Sequence, residues 1–285
     1  MRSRPDTAIR PATCHRYTLS GFGLSVLDSN KNNMLNRLSP IMRKRMAWLL
    51  WPDGHGVVRR DGALFLLDLN NWYDKVILKW GPGEPERRIY LLDNIRRREC
   101  DTFLDVGANF GTYAAFVALC TKATTIIAYE PDRRSYDRLR THLLLNRVHK
   151  KVETRMAAVS SRNGTVPFIR APDDNDSLSK VGADGSDSYS VPAVRLDDEL
   201  LLTGHRIALK VDVEGHELSA LEGMKSLLRA NDCFLQVECW DRILDHHLTT
   251  LAALIAALRR GRSASRQIAP DAGVERSGLS SATSI

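Results

Sequence analysis

Residues 103–113, F-L-D-V-G-A-N-F-G-T-Y, constrain the fold more than any other part of this 285-residue chain. An apolar strand there runs into a glycine turn and then into a helix, the opening unit of a doubly wound α/β domain. The same alternation continues through strands at 102–106, 125–129, 152–159, 165–169, 207–213 and 233–238, with helices at 112–120, 133–146 and 217–228. Apolar strands alternating with amphipathic helices predict a mostly parallel sheet with helices on both faces. Upstream, Asp61-Gly62 between two β-prone runs predicts a hairpin over 57–69, and a helix follows over 84–98.

Gly107 and Gly111 stand four apart, so the G-x-G-x-x-G fingerprint of dinucleotide sites is absent. The spacing suits a turn on which a smaller nucleoside-bearing ligand can rest, with Asp105 accepting from a cationic group such as the amino acid portion of S-adenosylmethionine. Nineteen residues beyond Gly111, the next strand ends at Glu130. A carboxylate at that tip can accept from both ribose hydroxyls, because ligands of parallel sheets lie over the carboxyl ends of the strands.

D-V-G-A-N-F-G (105–111), Y-E-P-D (129–132), A-A-V-S (157–160), V-R-L-D-D (194–198) and L-K-V-D-V-E-G-H-E (209–217) follow one another in this order. Over roughly residues 57–240 the chain thereby resembles the FkbM family of S-adenosylmethionine-dependent methyltransferases. The resemblance implies a class I, Rossmann-like fold and methyl transfer to oxygen, often on a sugar or polyketide hydroxyl. It implies that Asp105, Gly107, Asn109, Gly111 and Glu130 surround the cofactor and that Ala158 lines the adenine. It also implies a Ser-containing loop near the acceptor, here Asn175, Asp176 and Ser177 in the polar stretch 171–190. Trp240 and Asp241, which follow the strand ending at Glu238, are expected to border the acceptor pocket. Class I sheets end in an antiparallel hairpin. Here the strand at 233–238 is followed by helical A-A-L-I-A-A-L and polar sequence, so the sheet is expected to lack up to two strands.

In K-V-D-V-E-G-H-E, alternation along a strand predicts Lys210, Asp212 and Glu214 on one side and Val211 and Val213 facing the core. Three like-facing charges on a buried strand need partners and an opening, which assigns the strand end to the site. Asp212 or Glu214 is the expected base toward a hydroxyl, Lys210 an anchor or a polarising cation, and His216 a second candidate. Hard cations take carboxylates such as Asp212 and Glu214, but no metal is assigned.

Residues 1–60 carry 11 Lys/Arg against 3 Asp/Glu, and residues 250–285 carry 5 against 2, so the net +7 belongs to the flanks and residues 61–249 are net −4. A middle without a basic face argues against nucleic acid as partner. The resemblance, not the charge, implies a small-molecule or glycan acceptor, expected to be a saccharide or lipid-linked saccharide. An RNA ribose 2′-O-methyltransferase and a truncated, non-catalytic S-adenosylmethionine-binding protein are the alternatives. In the helix at 41–50, Ile41, Met42, Met46, Trp48, Leu49 and Leu50 are expected on one side and Arg43, Lys44 and Arg45 on the other, a basic face able to touch anionic membrane. Five scattered cysteines, and the lack of a signal-like or membrane-spanning apolar run, lead to the expectation of a cytoplasmic, membrane-peripheral protein. The expected organisation is a loosely packed flank (1–38), a helix, hairpin and helix packed on the catalytic unit (39–100), the cofactor-binding domain (101–248) and a helical, then polar tail (249–285).

Overall fold

The computed structural model describes residues 35, 37–169, 180–182 and 188–238. Helix α1 (Pro40–Leu50) leads into the hairpin β1 (His55–Arg60) and β2 (Ala63–Asp68), then α2 (Trp72–Trp80) and α3 (Pro85–Arg97). Asp61 and Gly62 both take positive φ at the hairpin turn, as the Asp-Gly pair demands. The alternating region runs β3 (Thr102–Val106), α4 (Thr112–Cys120), β4 (Thr125–Tyr129), α5 (Arg133–Leu145) and β5 (Val152–Arg155). A second small sheet is built from β6 (Ala158–Val159), β7 (Gly164–Ile169), β8 (Lys180–Val181) and β9 (Ser188–Val194). After the single turn α6 (Leu196–Glu199) the chain returns through β10 (Arg206–Val211), α7 (Glu217–Glu222), α8 (Lys225–Ala230) and β11 (Asp232–Val237).

The main sheet is parallel throughout, in the order β11-β10-β3-β4-β5. The chain steps outward from β3 to β5 and then crosses back to β10 on the other side of β3. Between β3 and β10 the direction of winding reverses, which opens a crevice over their carboxyl ends. Period-two alternation sorts the side chains into two cores. Leu104, Val106, Leu209 and Val211 pack under Leu221 and Leu227 on one face, while Phe103 and Ala208 pack with Phe65, Trp51, Ile77, Leu91 and Phe116 on the other. The N-terminal elements therefore cover one face of the sheet, the face that also carries Asp105 and Lys210.

Several expectations change. The strand expected over 152–159 splits after Arg155, and Ala158–Val159 joins the second sheet beside β9. The polar stretch 171–190 is not all loop, because its end enters β9 and pairs with β7. The helix expected over 217–228 breaks at Gly223, where an added Cβ would stand 1.9 Å from the carbonyl oxygen of Ser160. Residues 72–80 form a further helix beyond those expected from the sequence; Asn71 caps it by accepting from Tyr73 and Asp74 N–H. In α1, Ala47 is buried and Met46 and Leu50 pack on the core, but Ile41, Met42, Trp48 and Leu49 point to solvent and Arg43 turns inward. The described residues hold five strands of the main sheet, and Trp240, Asp241 and the tail lie outside them.

The hairpin is fastened to the α/β unit by Asn146, at the end of α5. Its Oδ1 accepts from Leu64 N–H and its Nδ2 donates to the Leu64 carbonyl, both at 2.8 Å. This side chain thus satisfies the outward edge of β2 as a further strand would. Asn146→Ala leaves both backbone groups without their partner, and a loss of about 1–3 kcal/mol is expected in urea unfolding.

Candidate functional site

The crevice is framed by two turns that meet with no room between them. After Val106 the chain turns through Gly107 (φ 78), Asn109 (φ 49) and Gly111 (φ 81). The N–H groups of Gly107 and Ala108 both donate to the carbonyl of Tyr129, at 3.0 and 2.9 Å, which ties the turn to the end of β4. A Cβ at Gly107 would stand 1.8 Å from the Asp212 carbonyl oxygen, so glycine is required both by φ and by the close approach of the turn that follows β10.

Across this frame lies a polar row, Asp105, Lys210 and Gln236, aligned in register on β3, β10 and β11. Asp105 is fully buried; its Oδ2 accepts from Ala114 N–H at 3.0 Å in the first turn of α4. Its Oδ1 has no partner among the described residues, and burial pushes the carboxyl up to about 6 against the pull of Lys210. The Lys210 ammonium is also buried, donates to Asp212 Oδ2 at 2.7 Å and sits 4.7 Å from the centre of the Tyr113 ring. Burial alone would lower it, but Asp212 and Asp105 outweigh that and hold it above its ordinary range.

Lys210, Asp212 and Glu214 are brought together, though not along one strand. β10 stops at Val211, and Glu214 (φ 50) and Gly215 (φ 97) turn the chain into α7, leaving Val213 only half-buried. Glu217 Oε1 accepts from Gly215 N–H at 2.8 Å and closes this turn. The turn lifts Glu214 clear of the sheet, so only Lys210 of the three is buried within it. Burial first, and then Asp212, Glu238 and Glu217, push the Glu214 carboxyl up to about 8.

The wall that faces these groups was not expected from the sequence. Glu84, held at φ 56 just before α3, accepts from the Tyr113 hydroxyl at 3.0 Å through Oε2 and pairs with Arg87 at 2.5 Å through Oε1. The same Arg87 nitrogen pairs with Glu238 Oε1 at 2.7 Å, at the tip of β11. Burial, with Asp212 and Glu84 nearby, raises Glu238 to about 7. E-P-E-R at 84–87 reads as an ordinary helix start, so only Glu238 carried a usable signal: like Glu130, it is a carboxylate ending an apolar strand.

Glu130 is buried between the glycine turn and α5, where Oε2 accepts from Asn109 N–H at 2.7 Å and Oε1 from Asp132 N–H at 2.8 Å. Burial outweighs these two donors and pushes its carboxyl up to about 8. Asp132 in turn caps α5 by accepting from Arg134 and Ser135 N–H. Asn109 Oδ1 and Thr112 Oγ1, on the same turn, have no partner among the described residues. Two expected residues lie apart from the Lys210 row. Ala158 packs with Phe168 and Val191 in the second sheet, and His216, at the start of α7, places Nε2 3.2 Å from Ser160 Oγ. Asn175, Asp176 and Ser177 lie outside the described residues.

A parallel, doubly wound sheet with a carboxylate-lined crevice at its switch point is the class I, Rossmann-like methyltransferase arrangement. Residues 105–260 match the methyltransferase FkbM domain, and the chain belongs to that family. The hexuronic acid methyltransferase AglP of Haloferax volcanii is 33% identical over 135 residues, covering 46% of this chain and 53% of AglP. The methyltransferase sdnD of Sordaria araneosa is 27% identical over 153 residues, covering 42% of this chain and 59% of sdnD. The chain thus spans about half the length of the curated relatives it matches. Among solved structures, methyltransferase FkbM from Methylobacillus flagellatus KT aligns with a TM-score of 0.40 at 20% identity, covering 66% of this chain and 48% of that chain.

The raised Glu130 carboxyl has a consequence for stability. The folded protein keeps a proton there up to about pH 8, whereas the unfolded chain releases it near the ordinary glutamate value of 4.5. Its stabilising contribution is therefore complete below pH 4.5 and is lost as pH rises through 8. Urea unfolding of the ligand-free protein and of Glu130→Gln across this range is expected to show the wild type losing, relative to the variant, on the order of a few kcal/mol.

Proposed function

We propose that this chain is an S-adenosylmethionine-dependent O-methyltransferase whose acceptor is a hydroxyl of a saccharide or lipid-linked saccharide. The observation that carries the reading is the set of open acceptors at the switch point, Asp105 Oδ1, Asn109 Oδ1 and Thr112 Oγ1, in a member of the FkbM family. Each is a buried oxygen without a donor among the described residues, a state that costs about 1–3 kcal/mol until a donor arrives. An ammonium and ribose hydroxyls are donors of the required kind. Asp105 and Thr112 would hold the amino acid portion, Glu130 and Asn109 the ribose, Gly107 and Gly111 would shape the turn beneath it, and Ala158 would offer a small apolar surface toward the adenine.

Bound there, S-adenosylmethionine would supply a methyl group already activated by its sulfonium. The chain's own work is then to position the acceptor hydroxyl and remove its proton. We assign that base to Glu214, which stands at the strand end with charges, not hydrogen-bond donors, acting on it. Lys210 fixes Asp212, and this pair positions the turn that presents Glu214. His216 stands at the start of α7 with its ring against Ser160, and we assign it no part in the proton transfer. The saccharide reading is supported by AglP, named as a hexuronic acid methyltransferase, while the net −4 of residues 61–249 weighs against RNA.

Three measurements check this. Calorimetry with S-adenosylmethionine should give saturable binding, and Asp105→Asn should weaken it about 10- to 100-fold, the loss of a charged hydrogen bond; wild-type protein that does not bind defeats the proposal. Label from the methyl donor should appear in the glycan or glycolipid fraction of an extract, and label confined to RNA would overturn the saccharide reading. With an acceptor in hand, kcat/KM should rise with pH up to about 8, where Glu214 loses its proton. Glu214→Gln should lower kcat about 100-fold or more while leaving cofactor binding unchanged.

A further inference from the structure

Helix α1 presents to solvent the side chains that a soluble helix normally hides. At about 100° per residue, the exposed positions run in the order Lys44, Trp48, Ile41, Arg45, Leu49, Met42 around an arc of roughly 160°. Ile41 is 70% exposed, Leu49 77%, Met42 54% and Trp48 39%. The opposite arc, Met46, Leu50, Arg43 and Ala47, packs on the protein. Arg43 is part of that packing, since its guanidinium donates to the carbonyls of Leu35 and Lys79 and so secures α1 to the end of α2. Trp80, next to Lys79, is 74% exposed. Lys44 and Arg45 are outside and Met46 and Leu50 inside, as expected from the sequence, but Ile41, Met42, Trp48 and Leu49 share the outer arc and Arg43 the inner one.

The charge of this face selects the partner. Residues 40–50 contain no acidic side chain, and Lys44 and Arg45 are exposed with no ion-pair partner among the described residues. A second copy docked by a twofold axis would bring these cations against their own equivalents. A bilayer of anionic lipid complements both parts, taking the apolar side chains into the headgroup–acyl boundary and offering phosphates to the cations. We propose that the outer face of α1 docks the protein on an anionic membrane surface, with Ile41, Met42, Trp48 and Leu49 inserted and Lys44 and Arg45 on lipid phosphates. This surface is distinct from the crevice residues and stands whether or not the saccharide reading does.

Co-sedimentation of the full chain with phosphatidylcholine vesicles, with and without phosphatidylserine, tests it. Binding is expected only to the vesicles that contain phosphatidylserine. Lys44→Glu with Arg45→Glu should weaken it at least about 25-fold, since each cation near the surface contributes about 5-fold. Ile41→Ser with Leu49→Ser should also weaken it strongly, with an unchanged melting temperature because both side chains are already in water. Wild-type protein that stays in the supernatant, or either double variant that binds as the wild type does, would overturn the proposal. So would a dimer in sedimentation equilibrium that Ile41→Ser with Leu49→Ser dissolves, for the face would then belong to a second copy.

Discussion

A single buried ammonium, that of Lys210, makes the rest of the crevice possible. Asp105, Asp212, Glu214, Glu238 and Glu84 converge on the carboxyl ends of three adjacent strands, and like charges at such range oppose one another in a poorly solvated space. Lys210 bonds Asp212 directly and acts electrostatically on Asp105, Glu214 and Glu238. The register of β10 between β3 and β11 sets where this cation lies, so the sheet's pairing and the site's electrostatics are one constraint. Removing one partner of such an arrangement is expected to cost far more than the arrangement adds to stability, because the remaining charge is stranded.

The N-terminal elements complete the polar end of the sheet as well as its core. Tyr113 lies between Lys210 and Glu84, and Arg87 joins Glu84 to Glu238, so α3 and the residue before it form a wall opposite the β10 turn. That wall is held in turn by Arg88, whose guanidinium pairs with Asp61 of the hairpin, takes the carbonyls of Pro82 and Gly83, and lies over Phe116. A change at the hairpin tip can thus reach the crevice through one side chain.

What the sequence made legible follows from where the decisive interactions are local. The glycine turn, the strands either side of it and the Asp-Gly hairpin obey short-range sterics, and each stands within a residue or two of the expected place. Glu130 was visible because a carboxylate ending an apolar strand is anomalous by itself. Glu84, Arg87 and Tyr113 were not, since their significance arises from a tertiary contact across α3, α4 and β11. Gly223, where the helix expected over 217–228 breaks, is required by the close approach of the distant Ser160 carbonyl, and the split after Arg155 goes with pairing to β9. The outer face of α1 was illegible for a related reason: around the helix Lys44 and Arg45 alternate with Trp48, Ile41 and Leu49, and the packing of Arg43 against the end of α2 decides which side is outside.

The pairing of Leu104 with Leu209 has a further consequence for how the molecule is made. As the chain leaves the ribosome, β3, β4 and β5 can associate early, yet β3 keeps one unpaired edge until the whole second sheet has been synthesised. During that interval Phe103, Leu104 and Val106 form an apolar strand with open backbone groups, the kind of edge that recruits foreign strands. Closing so long a loop before the contact forms is entropically slow, which places maturation among the slower α/β topologies. The crevice is therefore the last part of the domain to exist, and a nascent chain is exposed to misassembly at the very strand on which the site is later built.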